Sequence, residues 1–181
     1  MDIGVFIFDT DYSINISELA RELEERGYES LFVPEHTHIP TSRRSPFPGG
    51  GELPKQYSHT LDPFVSLGFA AASTKNLKIG TGICLLPQRD PIVTAKSIAS
   101  LDLMSKGRFV LGLGGGWNVD EMENHGVTYK TRFAMMKEHV LAMKSLWVDE
   151  EAEFHGEYIN FDKSWAYPKP VQKPYPPILM G

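Results

Sequence analysis

Short apolar runs alternate along this chain with longer stretches in which apolar residues recur at helical spacing. Residues 3–8 are apolar except for Gly4, which predicts a strand buried on both faces. Apolar residues return every three or four positions over 16–23, which predicts a first helix capped by Asn15. The same reasoning predicts strands at 30–33, 77–86, 108–113 and 178–180, and helices at 64–73, 92–105 and 132–147.

This alternation of strands and helices predicts βαβ units around a parallel sheet. The alternation continues through residues 1–181, and a chain of this length suits one domain. A small hairpin is expected at 152–161. Right-handed crossovers permit either a barrel or an open doubly wound sheet. Periodicity alone leaves both architectures open.

The segment 37–60 interrupts the pattern. It contains four prolines, three successive glycines and the pair Arg43–Arg44, which together predict a long surface loop. Long loops in compact domains often carry function, so we expect this segment to contribute to a site. A mobile insertion without a role is the alternative.

Composition narrows the class of protein. The net charge is −5 and no basic stripe is present, which argues against a nucleic-acid partner. No apolar run reaches the about 18 residues that a membrane span requires. No basic residues precede the first apolar stretch, so we interpret it as a strand and not as a signal peptide. The single cysteine, Cys84, excludes an internal disulfide, and we expect a cytoplasmic protein.

A glycine cluster follows the predicted strand at 108–113. Residues 112–117 read GLGGGW, which invites a dinucleotide-binding interpretation. That interpretation is weak because Trp117 stands where the G-x-G-x-x-G pattern needs its third glycine. Glycines here still allow a ligand to approach the backbone closely, and a tight turn without a ligand is the alternative.

Polar residues with catalytic potential follow the second predicted strand. Glu35, His36 and His38 stand there, and a histidine can transfer a proton near neutral pH. His36 and His38 also have the spacing of a metal-binding pair, but no third ligand with suitable spacing is present, so we expect no metal. A hydrogen-bonded structural role for His36 stays open.

Four separated blocks of the sequence resemble the luciferase-like flavin-dependent oxidoreductases. They are VPEH at 33–36, KIGTGI and LPQRDP within 78–91, the run from AK to SKGR within 95–108, and LGLGGGW at 111–117 followed by Glu121. The blocks occur in the family's order and cover nearly the whole chain. The resemblance implies a (β/α)8 TIM barrel that binds FMN or the deazaflavin F420 at the carboxyl ends of its strands. Because the match covers only strands one to five, we expect a barrel truncated after about five strands.

The resemblance also implies roles for particular residues. His36, with Glu35 as its neighbour, is expected to act in catalysis beside the reacting part of the ring. The third strand is expected to carry a cis peptide at Gly82–Ile83 that backs the ring. The residues expected to bind the cofactor are Phe8, Thr81, Gly82, Ile83, Gly114, Gly115 and Trp117.

We therefore expect an enzyme that uses its cofactor for hydride transfer to or from a small organic substrate. F420 is favoured over FMN by overall similarity to the F420-using branch. The alternatives are an FMN-dependent monooxygenase of the alkanal or alkanesulfonate type and a non-catalytic flavin-binding barrel. Members of the family commonly dimerise, so we expect a homodimer through helices 64–73 and 92–105, which are rich in alanine.

Overall fold

The computed structural model describes all 181 residues as a parallel sheet with helices between its strands. The strands are β1 (Gly4–Phe6), β2 (Ser30–Val33), β3 (Lys78–Thr81), β4 (Cys84–Leu85), β5 (Phe109–Gly114), β6 (Ala152–His155), β7 (Asn160–Ser164) and β8 (Ile178–Met180). The helices are α1 (Ile16–Glu25), α2 (Pro63–Ser73), α3 (Pro91–Met104), α4 (Val119–Asn124) and α5 (Arg132–Val148). None of these helices has the length and apolarity that crossing a membrane would require.

The sheet follows the order of the chain. β1 pairs with β2, and β2 pairs with β3. β5 pairs with β3 and β4 on one side and with β8 on the other. Every one of these pairings is parallel. The strand positions predicted from the sequence therefore lie in the sheet in their order along the chain. β6 and β7 form a separate antiparallel hairpin, which confirms the hairpin expected near 152–161.

The third strand is not continuous, and here the prediction of one strand over 77–86 was wrong. The chain leaves β3 after Thr81, passes through Gly82–Ile83 and re-forms as the two-residue β4. The Gly82–Ile83 peptide bond is cis, as expected from the resemblance. The ladder stops at Leu85, because its N–H donates to the side chain of Glu35 and not to a strand carbonyl.

α2 and α3 each begin at an aspartate that is followed by proline. The Asp62 carboxylate accepts hydrogen bonds from the N–H groups of Phe64 and Val65, and the Asp90 carboxylate accepts one from Val93. In each case proline occupies the first helical position, where no N–H is needed. α4 was not predicted, because its six residues are too few and too acidic to show an apolar periodicity.

The core lies between the sheet and α1, α2, α3 and α5. Leu31, Ile79 and Leu111, which come from successive paired strands, are completely buried within it. Four of the five alanines of α2 and α3 are buried in this core, namely Ala70, Ala71, Ala95 and Ala99, while Ala72 is exposed. The outer surface of the two helices instead presents larger apolar side chains, among them Val65, Phe69 and Val93.

β3 and β5 approach each other closely at Gly112. A Cβ atom at this position would lie 2.0 Å from the carbonyl oxygen of Thr81. The Thr81 hydroxyl donates a hydrogen bond of 2.6 Å to the Gly112 carbonyl, which fixes the contact from both sides. Only glycine fits here, because any side chain would push the two backbones apart.

We predict that Gly112→Ala lowers the free energy of unfolding by about 1–3 kcal/mol, the usual cost of forcing an extra methyl group into a packed core. Gly68→Ala is the matched control. A Cβ there meets nothing within 4 Å, and glycine within a helix costs about 0.5–1 kcal/mol relative to alanine, so this variant should be more stable than the wild type. Urea denaturation measures both changes. Equal stabilities of Gly112→Ala and the wild type would disprove the close approach.

Candidate active site

The carboxyl ends of the parallel strands meet at one edge of the sheet, and the predicted site residues gather there. Phe8 follows β1, His36 follows β2, and Trp117 follows β5. The His36 and Trp117 rings lie 5.9 Å apart between centroids although they are far apart in sequence. The sheet topology therefore assembles one site from loops that follow several strands.

His36 forms a buried pair with a residue of α4. Its Nδ1 lies 2.9 Å from Oε2 of Glu121, and the two side chains are 6% and 0% exposed. Because a carboxylate only accepts hydrogen bonds, Nδ1 carries the hydrogen. This leaves Nε2 as the nitrogen free to accept or donate a proton. Glu121 belonged to a block of the family resemblance, but the sequence did not show that its partner is His36.

Glu35 does not share in this pair. One of its oxygens accepts the N–H of Leu85 at 2.7 Å, and the other accepts Nε of Arg89 at 2.6 Å. Arg89 also reaches Asp62 at 2.8 Å. Burial would lower the pKa of Arg89, but its hydrogen bond to Glu35 and the charge of that carboxylate outweigh burial and raise it. Glu35 thus joins the end of β2 to β4 and to the start of α2, and the catalytic role expected for it has no support in this geometry.

Aromatic residues of the segment 37–60 cover the histidine. The ring of Tyr57 lies 5.3 Å from that of His36 and 4.8 Å from that of Phe8. Phe47 lies 5.2 Å from Tyr57 and 6.2 Å from Trp117. The loop is therefore part of the site, as expected, although the sequence gave no sign of which of its side chains take part.

The expected cofactor residues that follow β3 lie beside Gly114 at the end of β5, and Phe6, Gly82 and Ile83 together form an apolar floor. A Cβ atom at Gly82 would approach the Phe6 ring at 3.1 Å, and the space beside Gly114 holds the side chain of Ile83. Phe6 is 54% exposed, so this floor is open on one side. Thr81 is completely buried, and its side chain serves the contact between the strands.

Gly115 lies next to α5. A Cβ atom there would lie 2.7 Å from the ring of Phe133, the second residue of that helix. Gly115 is therefore brought to the same edge of the sheet as Gly114, with an aromatic side chain as its neighbour. Whether either glycine binds a cofactor stays a prediction.

His38 lies in a polar cluster apart from His36. Its Nδ1 is 3.0 Å from the Thr37 hydroxyl, and its Nε2 is 2.8 Å from the Asn124 amide nitrogen. The Thr37 hydroxyl is also 2.8 Å from Nε2 of His125. No group of three or more His, Cys, Asp or Glu side chains in the chain could hold a metal ion.

Comparison with known proteins gives the family. The model of the luciferase-like monooxygenase family matches residues 1–181, the whole chain. The chain belongs to this family. An uncharacterised protein of Mycobacterium tuberculosis is 46% identical over all of the chain and 65% of its own length. An F420-dependent glucose-6-phosphate dehydrogenase of Nakamurella multipartita is 33% identical over 92% of the chain and 45% of its own length.

The fold agrees with this assignment. The crystal structure of the monooxygenase RslO1 from Streptomyces bottropensis superimposes with a TM-score of 0.84 and 26% identity, and it covers 99% of this chain. The chain in turn covers 53% of that structure. The parallel sheet described above is thus part of a luciferase-like (β/α)8 barrel, and the chain spans about half to two thirds of the length of the relatives it matches.

The polar cluster at His125 predicts a dependence of stability on pH. Burial, and then the nearby His38, lower the pKa of His125 below its ordinary value of about 6.5. The folded chain therefore favours neutral His125, and the free energy of unfolding should fall as the pH drops from about 7 towards 5, because the unfolded chain takes up the proton first.

Urea denaturation at several pH values tests this expectation. His125→Gln should show a smaller fall over this range than the wild type. His155→Gln is the control, because His155 is an exposed residue of the hairpin and its loss should leave the pH profile unchanged. Identical profiles for the wild type and His125→Gln would refute the assignment.

Proposed function

We propose that this chain is the cofactor-binding part of an F420-dependent oxidoreductase that transfers hydride to or from a small organic substrate. The observation that carries the proposal is the buried His36–Glu121 pair, which lies beside an open apolar floor at the carboxyl ends of the strands. The F420-dependent relative at 33% identity supports F420 as the cofactor.

The residues present fit a flavin-type ring. The floor made by Phe6, Gly82 and Ile83 is apolar and partly exposed, as the face of a flat ring requires. Oε1 of Glu121 is buried and has no hydrogen-bond partner within the chain, so the site keeps one unpaired hydrogen-bond acceptor next to the histidine. We propose that Phe8, Thr81, Gly82, Ile83, Gly114, Gly115 and Trp117 form the cofactor-binding surface, with Thr81 acting through the backbone contact it supports. F420 would accept the hydride when the substrate is oxidised, and its reduced form would supply the hydride when the substrate is reduced.

His36 is the residue proposed to handle the proton. Glu121 fixes the orientation of its imidazole by accepting from Nδ1, so Nε2 can accept a proton from a substrate hydroxyl or return one to a carbonyl oxygen. Tyr57 and Trp117 cover the imidazole and limit the access of water to it. Glu35 holds the backbone from which His36 projects and takes no part in the proton transfer.

An FMN-dependent monooxygenase is the second candidate. The matching family model describes luciferase-like monooxygenases, and the structural neighbour from Streptomyces bottropensis is a monooxygenase. The apolar floor suits FMN as well as F420, because both present a flat tricyclic ring. A non-catalytic flavin-binding barrel is the third possibility, and the assays below separate the three.

The first assay is a titration of the purified protein with F420 and, separately, with FMN, followed by the fluorescence of the cofactor. We expect saturable binding of F420 that is tighter than the binding of FMN. Tighter binding of FMN would overturn the choice of cofactor in favour of the monooxygenase. Binding of neither cofactor would overturn the proposed function of this chain.

The second assay measures turnover of the active enzyme after replacement of the histidine. His36→Ala should lower kcat by about 10²–10⁴-fold, the usual contribution of a positioned acid or base, with cofactor affinity unchanged. Glu35→Gln is the informative comparison, because it should lower thermal stability while its effect on kcat should be much smaller than that of His36→Ala. A fully active His36→Ala enzyme would reduce His36 to a structural role.

We further propose a homodimer through α2 and α3, and we keep the expectation of a cytoplasmic location. The support is the row of exposed apolar side chains on these helices: Val65, Phe69 and Val93 are 60%, 62% and 62% exposed. Such residues on two neighbouring helices form a surface suited to a two-fold contact.

A charge on this surface should separate the subunits. We predict that the double variant Phe69→Glu, Val93→Glu is monomeric in sedimentation velocity while the wild type is dimeric, because the interface would bury unpaired charge. Val148→Glu is the control, since Val148 is 53% exposed at the end of α5 and outside the proposed contact. A double variant that still dimerises would exclude this surface.

A further inference from the structure

The short helix α4 carries two successive acidic residues with different partners. Glu121 contacts His36, as described above, and Asp120 contacts the segment 37–60. Both side chains are buried, at 0% and 4% exposure for the whole residues. A buried carboxylate must be well paired to be tolerated, so each contact holds its partner in place.

The carboxylate of Asp120 contacts Ser42 and Arg44, which precede Phe47 in the segment 37–60. Its Oδ2 accepts the Ser42 hydroxyl at 2.6 Å and the N–H of Arg44 at 3.2 Å. Its Oδ1 lies 3.0 Å from the guanidinium of the same arginine. One carboxylate thus holds both the backbone and the side chains of this stretch.

A second contact continues the attachment. The buried Ser45 hydroxyl accepts the N–H of Val119, the first residue of α4, at 2.9 Å. Phe47 follows two positions later and packs on Tyr57 and Trp117, the rings that cover His36. The position of this aromatic wall, defined as Phe47 and Tyr57, therefore depends on the attachment of residues 42–45 to α4.

We propose that Asp120 is a positioning residue that holds the aromatic wall of Phe47 and Tyr57 over His36, on the side where the substrate enters. This inference rests on the proposed function, because it assumes that the substrate reaches His36. It implies a substrate with a flat or apolar body, since the wall is aromatic and Arg44, the cation nearest to Asp120, is already paired. α4 thereby couples the substrate wall to the residue that orients His36.

The charge of Asp120 favours a lasting attachment. The hydrogen bond from Ser42 lowers the pKa of Asp120, and the nearby Arg44 adds to this effect against the opposing influence of burial. The other ion pair of this region, between Arg44 and Glu123, is exposed on both sides, at 61% and 51%. Exposed pairs contribute little, so Glu123 provides a matched control.

Trypsin measures the attachment directly, because Arg43 and Arg44 lie within the attached stretch. We expect Asp120→Ala to be cleaved after these arginines about tenfold faster than the wild type, since cleavage of a transiently released segment follows the population of its open form. Glu123→Ala should change the rate by less than about threefold, in line with an exposed pair. Equal rates for Asp120→Ala and the wild type would overturn the proposal.

Two further measurements separate positioning from general destabilisation. Asp120→Asn keeps the shape and an acceptor for Ser42, so its cleavage rate should fall between those of the wild type and Asp120→Ala. The affinity of the protein for F420 should stay within about threefold in Asp120→Ala if only the wall is released, whereas unravelling of α4 would also disturb the cofactor side. Loss of F420 affinity together with faster cleavage at every basic site would assign Asp120 a purely structural role and overturn the proposal.

The proposed function and the role of Asp120 can be disproved separately. If the wild-type protein binds neither F420 nor FMN, the proposed function fails whatever the trypsin result. If the wild type binds cofactor and Asp120→Ala is as resistant to trypsin as the wild type, the proposed function stands and the role of Asp120 falls.

Discussion

The close approach of β3 and β5 is the constraint on which the candidate site depends. At Gly112 the backbone of β5 touches the Thr81 carbonyl so closely that no Cβ could fit. The chain leaves β3 directly after this contact, and Ile83 then packs against Gly114, two residues beyond Gly112. The exit of β5 in turn places Trp117 and α4 opposite His36. A side chain at Gly112 would therefore displace both the floor of the site and the residue that orients the histidine.

Buried charge organises the rest of this edge of the sheet. Glu35 and His36 are neighbours in sequence, yet they belong to separate networks: Glu35 with Arg89 and Leu85, and His36 with Glu121. Each buried carboxylate has a hydrogen-bonding partner, as the cost of burying an unpaired charge demands. One network joins the end of β2 to Leu85 and Arg89, and the other engages only Nδ1 of His36. The difference between Glu35 and His36 follows from the hydrogen-bond partners of each side chain and not from the residue types alone.

The candidate site was predictable only in part. His36 and Trp117 could be placed at one edge because each follows a parallel strand, and strands of this kind end on the same side of the sheet. Glu121 could not be paired with His36, because the contact joins residues 85 positions apart and depends on an unpredicted helix. The alanines of α2 and α3 are a second case in which sequence alone was not enough. Their small size suggested an interface between subunits, and the structure shows that Ala70, Ala71, Ala95 and Ala99 pack within the chain's own core.

The sequence by itself determined the order of strands and helices, the caps at Asp62 and Asp90, and the family to which the chain belongs. These features are local, because periodicity and capping act over a few residues, and the family motifs are contiguous blocks. The tertiary structure alone decided which carboxylate orients His36 and which aromatic residues of 37–60 cover it. Those outcomes depend on contacts between distant segments, whose distances are set by the packing of the whole sheet.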